Sequence, residues 1–128
     1  MLWFEETVFC DGASGTATTW VLPLEQSLKV GGATVAFITL HFQAVGAGAG
    51  TTTLQFERSS ILSDDNDAWE SLGGNVAFTR TKFWQRKTFG QDTATWAHGL
   101  LRFKLTNSGA TENWCMIRLR IWVTLQPG

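Results

Sequence analysis

The stretch WCMIRLRIWVTL, residues 114–125, alternates with a period of two. Cys115, Ile117, Leu119, Ile121, Val123 and Leu125 fall on one parity; Met116, Arg118, Arg120, Trp122 and Thr124 fall on the other. Successive side chains of a β-strand point to opposite faces. The apolar set therefore reads as the buried side of a strand. The other side sets two arginines and a tryptophan in a row where a solvated sheet face would favour Thr, Ser and Glu. A helix, with 3.6 residues per turn, would scatter both sets around its circumference.

The same period runs through most of the chain. Residues 34–45 form a long predicted strand, with Thr34, Ala36, Ile38, Leu40 and Phe42 on one face and Val35, Phe37, Thr39, His41 and Gln43 on the other. Leu54 and Phe56 alternate with Gln55 and Glu57. In AFTRTKFWQRKTF, residues 77–89, Phe78, Arg80, Lys82 and Trp84 oppose Thr79, Thr81, Phe83 and Gln85. Residues 100–106 set Leu101, Phe103 and Leu105 against Arg102 and Lys104. Shorter strands are predicted at 6–10, 19–24 and 27–31. Asp11-Gly12, Gly31-Gly32, the VGAGAGTTT segment, Gly73-Gly74 and Asn107-Ser108-Gly109 read as turns or loops. Gly46, Gly48 and Gly50 fit a connector and not a phosphate cradle, since no Lys-Ser/Thr and no helix pattern follows.

SDDNDAWESLGG is the one helical candidate. Ser63 or Asp64 can cap it, acidic residues crowd its first turn, and Gly73 can end it. The expectation is an all-β chain: an antiparallel two-sheet sandwich, jelly roll before immunoglobulin-like, with one short helical insertion near residues 63–73. The length of 128 residues, without repeat or linker, fits one β-sandwich domain over 1–128.

Charged residues are only 16% of the chain against a usual ~25%, and the formal net charge is -1. Electrostatic partners must then be met by a local patch, and no nucleic-acid role is expected. MLWFEETVFCDG lacks the parts of a signal peptide, and no apolar run approaches the ~20 residues of a membrane helix. The expectation is a cytosolically made protein without a membrane anchor. Cys10 and Cys115 are read as two buried thiols, with a single long-range bridge as the alternative.

Chemistry-bearing clusters are sparse. Asp64, Asp65, Asp67 and Glu70 do not match a calcium loop and are read as helix-capping groups; no metal or cofactor is expected. His41 and His98 are the only histidines, and no nucleophile signature accompanies them. No enzymatic activity is expected. Seven Trp and nine Phe stand beside no Tyr. Most would fill a core, but Trp3, Phe4, Trp84 and Trp122 are candidates for contact with a partner. A short loop joins residues 100–106 to 114–125. If the two runs pair as a hairpin, Arg102, Lys104, Met116, Arg118, Arg120 and Trp122 form one basic stripe with apolar members. Trp and Arg in such a setting are frequent interface hot spots.

A compact, Trp-rich jelly-roll chain of this kind resembles the small capsid decoration, or cement, proteins of tailed bacteriophages. The resemblance spans the whole chain in size and layout. It implies a structural protein on the outer surface of a virion, synthesised in the host cytoplasm. It implies a trimer or dimer that bridges copies of the major capsid protein. The expected partner-binding residues are Trp3, Phe4, Arg102, Lys104, Arg118, Arg120 and Trp122. Trp3 and Phe4 should be buried against another chain or against the sandwich edge, and removing residues 1–5 should then weaken assembly more than folding. The alternative is a carbohydrate-binding β-sandwich module of a fibre or enzyme, which uses exposed aromatics on the same fold.

Overall fold

The computed structural model describes residues 1–12, 18–47, 50–78, 81–90, 97–109 and 113–126. Its strands are β1 (Leu2–Gly12), β2 (Thr18–Val21), β3 (Leu28–Ala47), β4 (Gly50–Ser59), β5 (Glu70–Phe78), β6 (Thr81–Gly90), β7 (Ala97–Gly109) and β8 (Asn113–Gln126). All pairings are antiparallel. β1 pairs β8, β2 pairs β7, β3 pairs β6 and β4 pairs β5. The first strand thus meets the last, the second the next to last, and so inward. Rolling up four such pairs gives a jelly roll. One sheet runs β1-β8-β3-β6, completed by the β3–β8 ladder; the other runs β2-β7-β4-β5, completed by the β4–β7 ladder.

β3 belongs to both sheets. Its first part, Leu28 to Thr34, pairs with β7, and Thr34 to Ala47 pairs with β8. The residues that turn it are legible: Gly31 has φ 63°, in the left-handed region that suits glycine, and Val35/Phe37 marks a register shift. Ala36 is the extra residue, so Val35 and Ile38 both face the core. The sequence period had put them on opposite faces. Gly99 (φ 92°) meets the same corner from β7, where a Cβ would overlap the Ser59 carbonyl oxygen.

The core lies between the sheets. Val35, Ile38, Leu40, Phe42, Ile117, Leu119, Ile121 and Val123 come from one side, and Leu54, Phe56, Leu101, Phe103 and Leu105 from the other. The inward parity of β8 is as the alternation requires. A buried polar thread crosses one end: Thr52 Oγ1 donates to Asn107 Oδ1 at 3.2 Å, and Asn107 Nδ2 donates to the Cys10 carbonyl at 3.3 Å. It ties β4 and β7 to β1, and satisfied buried polar groups of this kind fix register.

The short helical insertion expected near 63–73 is present as a single 3-10 turn, Asn66–Ala68, capped by the Asp65 side chain accepting from the Asp67 amide. Leu72 and Phe78, both buried, lie in β5, the strand that follows it. Other expectations are corrected. The run 77–89 is two strands in opposite sheets, β5 ending at Phe78 and β6 starting at Thr81. Gly46 lies in β3 and not in a connector. Arg80, Gly48 and the side chains of Lys82 and His98 lie outside the described residues.

Cys10 and Cys115 face each other across the β1–β8 ladder as buried free thiols. Burial, and then the neighbouring Cys115, push the Cys10 thiol up from its ordinary 9.0 to about 11. The unfolded chain releases this proton near pH 9, whereas the folded chain holds it to about 11. The stabilisation is thus complete below about pH 9 and is lost as pH rises through 11. The chain has no Tyr to titrate in that window. Urea unfolding should show stability falling between pH 9 and 11 by on the order of 1–2 kcal/mol, with the slope flattened in Cys10→Ala. An unchanged slope in that variant would assign the effect elsewhere.

Candidate functional site

The outer face of the β1-β8-β3-β6 sheet is built in cross-strand rows. One row reads Glu5, Arg120, His41, Arg86 across the four strands. Its neighbour on one side reads Leu2, Trp122, Thr39, Thr88. On the other side Thr7, Arg118 and Gln43 stand in line, and the β3–β6 register shifts between Phe42 and Ala44. That irregularity brings Trp84 of β6 beside the middle row, its ring 4.5 Å from His41. Directly opposed side chains on an antiparallel pair stand about 4.5–5.5 Å apart. The face therefore gathers residues from four separate parts of the chain.

The rings and cations touch. Trp122 lies 6.3 Å from His41. The guanidiniums of Arg118 and Arg120 sit over the Trp84 ring at 5.5 and 5.1 Å, a cation–π arrangement. Arg120 Nε also donates to Glu5 at 2.8 Å. Thr39 Oγ1 and Thr88 Oγ1 share a hydrogen bond at 3.3 Å. Beside this cluster opens a hollow of about 450 Å3, lined by Met1, Phe37, Thr39, His41, Arg86, Trp122 and Thr124. A smaller one, about 210 Å3, lies between Glu5, Glu6, Thr7, Trp84, Arg118 and Arg120. The first is within the size range of small-ligand sites and mixes aromatic with hydrogen-bonding groups as such sites do.

The predicted partner-binding residues divide. Arg118, Arg120 and Trp122 share the outer face just described. Arg102 and Lys104 do not join them, because β7 and β8 lie in opposite sheets and form no hairpin. The stripe is therefore two separate groups on opposite sides of the sandwich. Arg102 is buried, at 4% exposure. The β4–β5 connection folds over it: Trp69 covers the guanidinium at 4.3 Å, Nε donates to Glu57 at 2.9 Å, and Nη2 donates to Asn66 Oδ1 at 3.1 Å. Lys104 is half-exposed, 3.6 Å from the same Glu57.

Trp3 and Phe4 serve the chain's own core. The β1–β8 register shifts between Leu2 and Phe4, so Trp3 is the extra residue of a bulge. Trp3 and Phe4 both pack on Phe103, at 5.5 and 5.0 Å, and Trp3 Nε1 donates to the Gln26 carbonyl at 2.9 Å. The N-terminal segment is a full strand of the sandwich, not a spare tip. Removing residues 1–5 would strip core residues and so damage folding directly.

Sequence reading missed His41, Thr39 and Arg86. Their signal was parity: Thr39 and His41 face outward on β3, and Arg86 shares a face with Trp84. It becomes informative only once β3 is known to lie between β8 and β6. Among the described residues no cluster of His, Cys, Asp and Glu is placed to hold a metal, and no helix is long and apolar enough to cross a membrane.

No protein-family model and no curated protein matches the chain. Solved structures similar to it include TmCBM61 in complex with β-1,4-galactotriose, at 14% identity and a TM-score of 0.39, covering 84% of this chain and 61% of that one. The cowpea mosaic virus top component, a naturally occurring empty particle, aligns at 7% identity and a TM-score of 0.47, covering 97% and 87%. The CBM22-1 xylan-binding domain of Paenibacillus barcinonensis Xyn10C aligns at 13% identity and a TM-score of 0.40, covering 96% and 94%. This chain thus spans about three-fifths of the first of these. At such identities and TM-scores these likenesses assign no function to this chain, and one fold hosts many functions.

Proposed function

We propose that this chain is a non-catalytic carbohydrate-binding module whose recognition surface is the outer face of the β1-β8-β3-β6 sheet. The observation that carries the reading is the hollow where Trp122, His41 and Phe37 offer flat apolar surface beside the hydroxyls of Thr39 and Thr124 and the guanidinium of Arg86. A sugar ring needs both: an apolar face to lie on, and polar groups at its edge. Trp84, 39% exposed and against His41, extends the platform.

The test is binding of the intact chain to an array of plant, bacterial and animal polysaccharides, followed by titration calorimetry. Trp122→Ala and Trp84→Ala should each weaken binding about tenfold or more, as loss of an aromatic anchor does. Both rings are at the surface, so thermal unfolding should hardly move. A wild-type chain that retains no polysaccharide would overturn the reading.

One further feature favours the second reading, a decoration protein on the outer surface of a virion. At the other end of the same face, Phe9 (57% exposed) stacks on Trp114 (38% exposed) at 6.0 Å, with Met116 alongside. Exposed apolar groups next to Arg118 suit docking onto a major capsid protein or onto another copy in a dimer or trimer. Co-sedimentation with capsid shells, lost in a Phe9→Ser/Trp114→Ser variant that still binds glycan, would establish it as a separate activity.

A further inference from the structure

We propose that the saccharide taken by this face is acidic, its anionic group held by Arg86. The inference deepens the carbohydrate reading and rests on it.

The charge arrangement carries it. Among the described residues, three arginines are matched to carboxylates: Arg58 to Glu70, Arg102 to Glu57, and Arg120 to Glu5. Arg86 and Arg118 have no carboxylate within ion-pair distance among those residues, and both lie on this face. In the middle row Glu5 answers Arg120, and the row then continues through His41 to Arg86 with no second acid. The larger hollow contains Arg86 and no Asp or Glu. Arg86 thus ends the row as a cation with no carboxylate beside it among the described residues, a place that an anion from outside can fill.

Geometry narrows the class. Arg86 stands directly across the ladder from His41, whose ring neighbours both Trp84 and Trp122. A ring lying on that platform places an edge substituent toward the guanidinium. The planar fork of Arg matches a carboxylate with two parallel hydrogen bonds. A uronic acid is thus the best fit, and a sulfated sugar shares the same chemistry. The smaller hollow, around Arg118, already contains Glu5 and Glu6. Recognition of one charge per ring is therefore concentrated at Arg86. A nucleic acid would want a broad basic surface, and the chain has a net charge of -1.

The experiment is calorimetric titration of the full chain with polygalacturonate, with neutral galactan, with heparin and with oligo(dT), at two salt concentrations. Polygalacturonate or heparin should bind about tenfold or more tightly than galactan, and the advantage should shrink at high salt. Arg86→Gln should erase the advantage, its loss of affinity being about tenfold or more greater for polygalacturonate than for galactan. Lys87→Gln removes the same charge from the adjacent, oppositely facing position and should change nothing. A tighter response to heparin than to polygalacturonate would identify sulfate as the anion and support the proposal. Equal binding of galactan and polygalacturonate, or an Arg86→Gln effect matched by Lys87→Gln, would overturn the acidic specificity and leave the carbohydrate reading standing. Binding to none of the saccharides would remove both. Oligo(dT) binding tighter than every saccharide and lost in Arg86→Gln would overturn the proposal in favour of a nucleic-acid site. Thermal unfolding of each variant, expected at the wild-type midpoint, shows that the comparison is between folded proteins.

Discussion

Phe103→Ala should destabilise this protein by about 3–5 kcal/mol, the usual cost of emptying a buried phenylalanine site. Phe103 is fully buried in the middle of β7. Its ring meets Phe4 at 5.0 Å, Trp3 at 5.5 Å, Trp20 at 5.7 Å and Phe56 at 6.3 Å. Those partners come from β1, β2 and β4, so the void would open where both sheets meet. Large aromatic neighbours re-pack poorly into a hole, because each is held by its own contacts. Domains of this size have only about 5–15 kcal/mol of stability in total. The variant should therefore populate unfolded chain at moderate temperature. Urea titration measures the loss. Leu62→Ala, at an exposed position, should stay within about 0.5 kcal/mol. Similar midpoints for the two variants would mean that the aromatic cluster is not the centre of the core.

Arg102→Met should cost about 3–5 kcal/mol, because it leaves the buried Glu57 carboxylate without its main partner. Lys104, 3.6 Å from Glu57, offsets part of that loss. The informative comparison is the double variant Arg102→Met/Glu57→Leu. Removing both charges avoids the orphaned carboxylate, so the double variant should be more stable than Arg102→Met alone. Additive losses in a double-mutant cycle would contradict this account. Arg102 lies on the sheet opposite to Trp122, His41 and Arg86, so neither variant should alter glycan affinity while folded. A basic stripe shared by Arg102 and Arg118 would instead make binding fail with Arg102→Met.

That contrast marks what was legible in the sequence. Alternation tells which way a side chain points from its own strand. It correctly sent Ile117, Leu119 and Ile121 inward and Arg118, Arg120 and Trp122 outward. It says nothing about which strand lies alongside. Arg102 and Arg118 carry the same local signal, yet one is roofed by Trp69 and the other lies on an open face. The short β7–β8 connection invited a hairpin, but the chain passes from one sheet to the other. Bulges hide further information: one extra residue at Ala36 reverses parity, and one at Trp3 brings two adjacent rings onto Phe103. The site was legible only on β8. His41 and Arg86 reach it through pairings between residues about 80 and 45 positions apart in the chain, and long-range pairing leaves no local trace.

The dual membership of β3 has a kinetic meaning. In most sandwiches one sheet can in principle order before the other docks. Here a single 20-residue strand supplies an interior member of one sheet and an end of the other. Its ladder to β8 begins at Ala47 and Trp114 and runs on through Ala44–Ile117 and Leu40–Ile121, so the chain must close a loop of more than 60 residues before that ladder begins. Loop closure of that length precedes any reward from the contacts it permits, which places such a topology among slow folders, in the millisecond-to-second range. The same coupling governs the reverse step. Parting β3 from β8 pulls on its junction with β7, so the face that carries Trp122 and His41 and the buried Arg102 face come apart as one event rather than two.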